Sequence, residues 1–283
     1  MQTNEGVVID VKKIVEAKKL DLKARVNNLK RKGIVPKLAV ILANDLDASK
    51  LYIRKKREMC SELGVDEVEY MLEEDTTTEK MLEIIDRLNN DKNVHGILVQ
   101  LPVFKHLDER KILEAISPDK DIDGFHPLNL GKIVMAEEGI VACTPKGIMS
   151  IIKSTGAKVA SKTAVVVGRS IIVGKPISQL LLNADATVIT CHSKTKNLKK
   201  YTKMADILVV AAGVPHLITK EMVKKGALVV DVGINRVDGK VVGDVDTDEV
   251  KKVAKFVTPV PGGVGITTVA SLLENLVEMV EKL

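Results

Sequence analysis

The chain has 283 residues, 45% hydrophobic and 29% charged, enough for one large or two medium domains with a sizeable core. Its 43 basic and 38 acidic side chains are interspersed, and the excess of +5 is too small and diffuse to suggest nucleic-acid binding. Aromatics reach only 2%, without Trp, which argues against stacking platforms for single strands. No apolar run approaches the ~20 residues of a membrane span. Cys60, Cys143 and Cys191 are too scattered for a disulfide framework or a zinc site. They are expected as buried small side chains, and no metal is expected. The opening MQTNEGVVIDVKK lacks a basic stretch followed by an apolar one and carries Glu5 and Asp10. The expected compartment is therefore a reducing cytoplasm, without membrane or nucleic-acid partners.

In chain order, Val7, Val11, Ile14, Val15, Leu22, Val26 and Leu29 fall at helical spacing and predict a helix over 7–32, ended by Gly33. KLAVILA (37–43) predicts a strand. Ser49 is expected to cap a helix over 50–63 that stops at Gly64. VDEVEYML (65–72) alternates as a strand, and Thr76 with Glu79 has the capping-box spacing for a helix to about Asn90. VHGILVQL (94–101) predicts a buried strand stopped by Pro102, and a helix over 108–116 follows. This β-α repetition implies a parallel sheet with helices on both faces. The stretch 117–147, rich in Pro, Gly, Asp and Asn, is expected as a long ordered loop, and such loops are usually functional. Thr144-Pro145 opens a helix over 146–155, and the main domain boundary is placed here.

A second alternation has strands at TAVVVG (163–168), ATVITC (186–191), DILVVAAG (206–213), ALVVDVG (227–233) and FVTPV (256–260). Helices fit at 175–184, 197–204, 219–225 and 246–254. The pattern is a Rossmann-type, doubly wound sheet. The final helix, 267–281, carries Val269, Leu272, Leu273, Leu276, Val277 and Val280 as one stripe. That stripe must bury against its own sheet or return to the first domain.

VVVGRSIIVGKPISQLL (165–181) reads as strand, glycine turn and helix. Gly168 ends the strand, Gly174 allows close approach of a phosphate, and Pro176 suits a first helical turn whose exposed amides favour an anion. Arg169, Ser170 and Val173 depart from a literal GxGxxG, so a structural turn is the competing interpretation. The next strand ends in Cys191-His192-Ser193-Lys194-Thr195-Lys196, with no acid to hold ribose hydroxyls. Arg169, Ser193 and the lysines suit a 2′-phosphate, which selects NADP over NAD.

Tyr52 and Lys56 lie at i, i+4 on one helix face. A lysine in a partly desolvated crevice loses its proton more easily and can exchange protons near neutrality. The competing interpretation is that Arg54-Lys55-Lys56-Arg57 is a solvated basic face. Gln100 ends a buried strand at its carboxyl edge, where open α/β sheets bind ligands. It serves either a lysine amine or a substrate, or else caps the following loop. A carboxylate at Asp121 or Asp123 is suited to accept two hydrogen bonds from an amino-pyrimidine edge; the competing interpretation is an Asx turn, favoured more for Asp121 than for Asp123. Val260-Pro261-Gly262-Gly263-Val264-Gly265 offers little side-chain bulk, as a nicotinamide ring requires.

Several stretches together resemble the bifunctional methylenetetrahydrofolate dehydrogenase/methenyltetrahydrofolate cyclohydrolase family. They are Ser49…Tyr52…Lys56, Gly96-Ile-Leu-Val-Gln100-Leu-Pro102, Pro118-Asp-Lys-Asp-Ile-Asp123-Gly-Phe-His-Pro127, Cys143-Thr-Pro145, Gly168-Arg-Ser-Ile-Ile-Val-Gly174-Lys-Pro176, Asp231-Val-Gly-Ile-Asn235 and Pro259-Val-Pro-Gly-Gly-Val-Gly265. They run in order along essentially the whole chain. The resemblance implies an N-terminal αβα catalytic domain (1–145) and a Rossmann-type domain (146–267) with a cleft between them. The C-terminal helix, 268–283, is implied to pack back on the first domain, and the protein to be a cytoplasmic homodimer.

It further implies that Lys56, Gln100, Tyr52 and Asp123 are catalytic. Tetrahydrofolate derivatives would contact Tyr52, Lys56, Leu101, Asp123, Pro261 and Gly262. NADP would contact Gly168, Arg169, Ser170, Val173, Gly174, Ser193, Thr195, Ala212, Gly213, Gly233 and Ile234. The implied activity is oxidation of 5,10-methylenetetrahydrofolate, then hydrolysis to 10-formyltetrahydrofolate, which supports purine biosynthesis. The rivals are a monofunctional dehydrogenase, a Schiff-base lyase using Lys56 and a non-catalytic binding module. Two departures stand out. Ile266-Thr267 occupies the family's usual Pro-Met position, and Ala43-Asn44-Asp45-Leu46-Asp47 lacks the usual glycine.

Overall fold

The computed structural model describes residues 5–283; the first four, part of the segment read for a targeting signal, lie outside the described residues. The chain opens with β1 (Val7–Val8) and α1 (Val11–Arg31). There follow β2 (Lys37–Leu42), α2 (Asp47–Leu63), β3 (Asp66–Met71), α3 (Thr78–Asn90), β4 (Gly96–Gln100), α4 (Glu109–Glu114), α5 (Pro127–Val134) and α6 (Cys143–Ser154). Next are β5 (Thr163–Val167), α7 (Gly174–Asn183), β6 (Thr187–Cys191), α8 (Leu198–Thr202), β7 (Ile207–Val210), a 3₁₀ turn (Lys220–Met222) and β8 (Leu228–Asp231). The chain ends with β9 (Asn235–Val237), β10 (Lys240–Val242), α9 (Thr247–Val250), β11 (Phe256–Val257) and α10 (Val264–Glu281). Two compact units result: 17–143 with 269–283, and the residues up to Glu16 with 144–268. No helix among the described residues is long and apolar enough to cross a membrane.

The unit containing residues 17–143 is built on a parallel sheet of order β3-β2-β4. Successive residues of β2 point to opposite faces. Leu38, Val40 and Leu42 meet Leu22, Val26 and Leu29 of α1, Ile53 and Leu63 of α2, and Leu272, Leu273, Leu276, Val277 and Val280 of α10. Ala39 and Ile41 meet Met81, Ile84, Ile85 and Leu88 of α3 and Ile112 of α4. Burial on both faces is why the strand has no polar residue after Lys37. Leu276 is fully buried there. Leu276→Ala is expected to cost about 3 kcal/mol, read as a lower urea midpoint, through lost transfer energy and a residual cavity. A midpoint equal to that of the parent would show that this stripe does not hold the layer.

The other unit carries a six-stranded parallel sheet of order β1-β11-β8-β7-β5-β6. From β5 the chain first adds β6 on one side and then β7 on the other. The switch point therefore lies at the carboxyl ends of β5 and β7, where α/β sheets receive their ligands. Gly168 and Ala211–Gly213 occupy those ends.

Several local expectations need correction. The helix expected from residue 7 starts at Val11, because Val7 and Val8 pair with Phe256 and Val257 at the sheet edge. Ser49 does not cap α2: the helix begins at Asp47 after Leu46, and Ser49 is buried inside it. The cap of α3 is Thr77, whose Oγ1 accepts from Lys80 N at 3.2 Å, not Thr76. The stretch expected as a loop over 117–147 contains α5, with Pro127 in its first turn and His126 Nδ1 accepting from Leu128 N. Tertiary contact overrides composition there, since Asn129 Nδ2 donates to Pro118 O and Asp121 Oδ2, both at 2.9 Å. The helix expected at 219–225 shrinks to the 3₁₀ turn, and that at 246–254 to α9. The hairpin of β9 and β10 was not anticipated, although Asp238-Gly239 between two short strands is a strong hairpin signal.

Candidate active site

Helix α2 presents Arg54, Lys55 and Arg57 to solvent but buries Lys56, which is only 5% exposed. This disposes of the simple solvated-face interpretation for that residue. Lys56 Nζ donates to Gln100 Oε1 at 2.8 Å and stands 5.6 Å from the centre of the Tyr52 ring. Gln100, the last residue of β4, also donates from Nε2 to Leu101 O at 2.9 Å. It thus serves the lysine and the following loop at once, and its carbonyl oxygen is aimed by its own amide. Burial pushes the Lys56 ammonium below the ordinary lysine value, against the pull of Asp123 and Cys143. Burial likewise raises the Tyr52 phenol, with Asp123 acting in the same direction.

Asp121 and Asp123 have different neighbours. The segment at Asp121 runs beside β4, with Ile97 N donating to Lys120 O at 2.7 Å. Asp121 is buried, and its carboxylate accepts from Gly124 N, His126 N and Asn129 Nδ2, which organises the turn. Asp123 is half-buried, with Cys143 Sγ 3.7 Å from its Oδ1. Burial pushes its carboxyl up to about 6, opposed by Lys56 and reinforced by Asp121. One unit therefore brings together Tyr52, Lys56, Gln100, Leu101 and Asp123.

Sequence reasoning missed the residues that hold this group in place. Asn44 Nδ2 donates to Pro102 O at 2.6 Å while its Oδ1 accepts from Leu46 N at 3.0 Å, joining the end of β4 to the start of α2. The stretch before Ala48 thus carries a polar clamp. Lys120 Nζ donates to Leu88 O, Asn89 O and Asp91 O and closes the end of α3. Asn275 of α10 donates to Ile122 O at 2.8 Å and Val141 O at 2.9 Å, on either side of the Asp123 segment. An amide in an apolar helical stripe was the available signal for Asn275.

In the other unit, β5 ends at the glycine turn before α7. A Cβ on Gly174 would lie 2.4 Å from Gly168 O and 2.6 Å from Arg169 N, so the turn closes only around glycine. The expectation of exposed amides is corrected in part. Val173 N and Gly174 N are directed to Ser170 Oγ at 3.2 and 3.3 Å, Lys175 N donates to Ser170 O, and Pro176 has no N–H. Arg169 and Ser170 remain exposed. Gly168 N donates to Cys191 O at 2.9 Å, which places Arg169 next to the turn at the end of β6. In that turn His192 N donates to Thr195 Oγ1 at 2.9 Å, and Ser193 is exposed.

Ala212 and Gly213 form an exposed loop after β7, and Gly233 and Ile234 follow β8. Pro261 and Gly262 precede α10. That helix starts earlier than expected. Ile266 N donates to Gly263 O at 3.2 Å, a bond that proline at this position cannot make. These residues fit a dinucleotide: a tight glycine turn at the switch point, a cationic side chain beside it, and no carboxylate in the 191–196 segment.

A doubly wound sheet with such a turn, and an αβα unit with a desolvated lysine at its strand edge, define a two-domain α/β dehydrogenase of the NAD(P)-binding class. Residues 9–123 match the tetrahydrofolate dehydrogenase/cyclohydrolase catalytic domain, and residues 142–283 match its NAD(P)-binding domain. The bifunctional protein FolD of Exiguobacterium sibiricum is 52% identical over 96% of this chain and 99% of its own. The crystal structure of the bifunctional FolD methylenetetrahydrofolate dehydrogenase/cyclohydrolase from Campylobacter jejuni is 47% identical, with a TM-score of 0.96 over 98% of this chain and 99% of that one. The Trypanosoma brucei enzyme, complexed with NADP cofactor and an inhibitor, is 37% identical, with a TM-score of 0.93 over 98% of each chain. The chain belongs to the tetrahydrofolate dehydrogenase/cyclohydrolase family.

Proposed function

We infer that the protein oxidises 5,10-methylenetetrahydrofolate to the methenyl form with NADP and then hydrolyses that form to 10-formyltetrahydrofolate. The observation that carries the two-step chemistry is Lys56, buried and held 2.8 Å from Gln100 Oε1 while its charged neighbours face solvent. When bound, NADP⁺ would supply the hydride acceptor, and Gly168, Arg169, Ser170, Val173, Gly174, Ser193, Thr195, Ala212, Gly213, Gly233 and Ile234 would hold it. The substrate's bridging carbon leaves that step as part of a delocalised cation. Tyr52 packs over the aminobenzoate ring, Asp123 accepts from the amino-pyrimidine edge, and Leu101, Pro261 and Gly262 contact the substrate.

In the second step water adds to the methenyl carbon, one C–N bond opens and a proton is released. Lys56 relays protons in that sequence, and Gln100 orients it. A permanently charged ammonium beside the substrate cation would be repulsive, so the depressed lysine favours hydrolysis. The folate domain, expected over 1–145 with helix 268–283, is in this reading the unit of 17–143 with 269–283, and the NADP domain, expected over 146–267, is the unit of 144–268 with the described residues up to Glu16. A cytoplasmic homodimer that supplies formyl groups for purine biosynthesis belongs to the same proposal.

The direct test is a spectrophotometric assay with methylenetetrahydrofolate and NADP⁺ or NAD⁺. The methenyl species should appear and then decay; accumulation without decay would leave only a dehydrogenase. A second test addresses the cofactor. Arg169→Ala should raise KM for NADP about 10-fold with little change for NAD, since one charge-assisted contact to the 2′-phosphate is lost. Equal effects on both cofactors would remove Arg169 from phosphate recognition.

A further inference from the structure

Two buried carboxylates lie behind the carboxyl ends of β7 and β8. Asp231 and Asp244 are 1% and 0% exposed. Asp244 Oδ2 accepts from Ala212 N at 2.6 Å and Gly213 N at 2.9 Å, and its Oδ1 accepts from Val214 N and Asn235 Nδ2, each at 2.9 Å. Asp231 in turn accepts from Gly233 N, Asp244 N and Val245 N at 2.9 to 3.0 Å, which fixes the backbone that carries Asp244. The packing leaves no room for a side chain at the adjoining glycine, since a Cβ on Gly233 would lie 2.3 Å from Asp244 Oδ1. The loop held by these bonds, 212–214, is itself exposed.

We propose that Asp244 is a positioning residue for NADP binding: its carboxylate gathers three successive backbone amides and so sets the shape of the loop after β7. The proposal rests on the assignment of Ala212 and Gly213 to the NADP site. The physical basis is acceptor count. A carboxylate offers only acceptors, and here four donors surround it. An asparagine would turn an NH₂ group toward some of those donors and force the loop to move. Asp244 belongs to the NADP-binding unit, so the NADP-independent hydrolysis attributed to Lys56 provides an internal control.

Asp244→Asn is expected to raise KM for NADP about 10-fold or more, with kcat at saturating NADP within about 3-fold of the parent, as follows when a binding loop loses its hydrogen-bonded support. Methenyl hydrolysis measured without NADP should stay within about 2-fold. An unchanged KM in a folded variant overturns the proposal, as does parallel loss of both activities with KM for NADP at the parent value. If Asp244→Asn does not fold, Asn235→Ala decides, because it removes one donor and keeps the carboxylate. A rise of about 3-fold in KM for NADP supports the proposal and no rise overturns it. Ala212→Phe separates the two levels of the argument by placing bulk on the exposed loop. If it leaves KM for NADP unchanged, the loop is not part of the NADP site and the proposal fails with that assignment. If it raises KM while Asp244→Asn does not, only the role of Asp244 is lost.

Discussion

Lys56→Met is expected to lower methenyltetrahydrofolate hydrolysis by about 10³-fold while KM for NADP changes by less than about 2-fold. Methionine keeps the length and apolar stem of the buried side chain, so the layer around α2 survives. What disappears is the amine held 2.8 Å from Gln100 Oε1, and with it the group proposed to move protons. NADP binding is assigned to a different unit of the chain, which is why the two readouts should separate. The methenyl product of the first step should then accumulate in the coupled assay. Hydrolysis at the parent rate would take Lys56 out of the mechanism.

Asp123→Ala should raise the dissociation constant for tetrahydrofolate about 30-fold, the loss expected for charge-assisted hydrogen bonds to the amino-pyrimidine edge. The parent should show a matching pH dependence. Burial raises the Asp123 carboxyl from the ordinary 3.8 to about 6, so the accepting, charged form is depleted below about pH 6. Affinity should therefore fall up to about tenfold per pH unit below that point and level off above it. Asp123→Asn should flatten this profile. The effect on folding has the opposite sense. A carboxyl with a raised folded-state pKa favours the folded state at low pH, and that contribution is lost as pH rises from about 4 to 6. An unaltered dissociation constant in Asp123→Ala, or a slope that survives in Asp123→Asn, would end its role at the pterin.

The two-sheet architecture was legible because buried parallel strands are short β-branched runs that little else resembles. KLAVIL and TAVVV lie in strands within a residue of expectation. Element ends were less legible, for local chemical reasons. Leu46 precedes α2 without a side-chain cap, and Thr76 and Thr77 offer the same hydroxyl one residue apart. Helix α5 was hidden because Pro127, Asn129 and Gly131 have loop-like composition, while the bonds of Asn129 to Asp121 and Pro118 that support the helix are tertiary. Val7 and Val8 satisfy a helical period, but their partners are about 250 residues away in the chain, at Phe256 and Val257.

By itself the sequence determined the class of fold, the glycine turn, the absence of an acid after β6, and the pairing of Tyr52 with Lys56 on one helical face. These are properties of spacing, and spacing is local. Tertiary structure alone decided which member of the Arg54–Arg57 run is desolvated, because burial depends on what packs over the helix. It also separated Asp121, whose oxygens accept three hydrogen bonds from the turn and α5, from half-buried Asp123, whose carboxyl lies near a lysine. Asn44, Asn275 and Asp244 carry no motif. Their function is hydrogen bonding to backbone far along the chain, and only folding brings those donors and acceptors within reach.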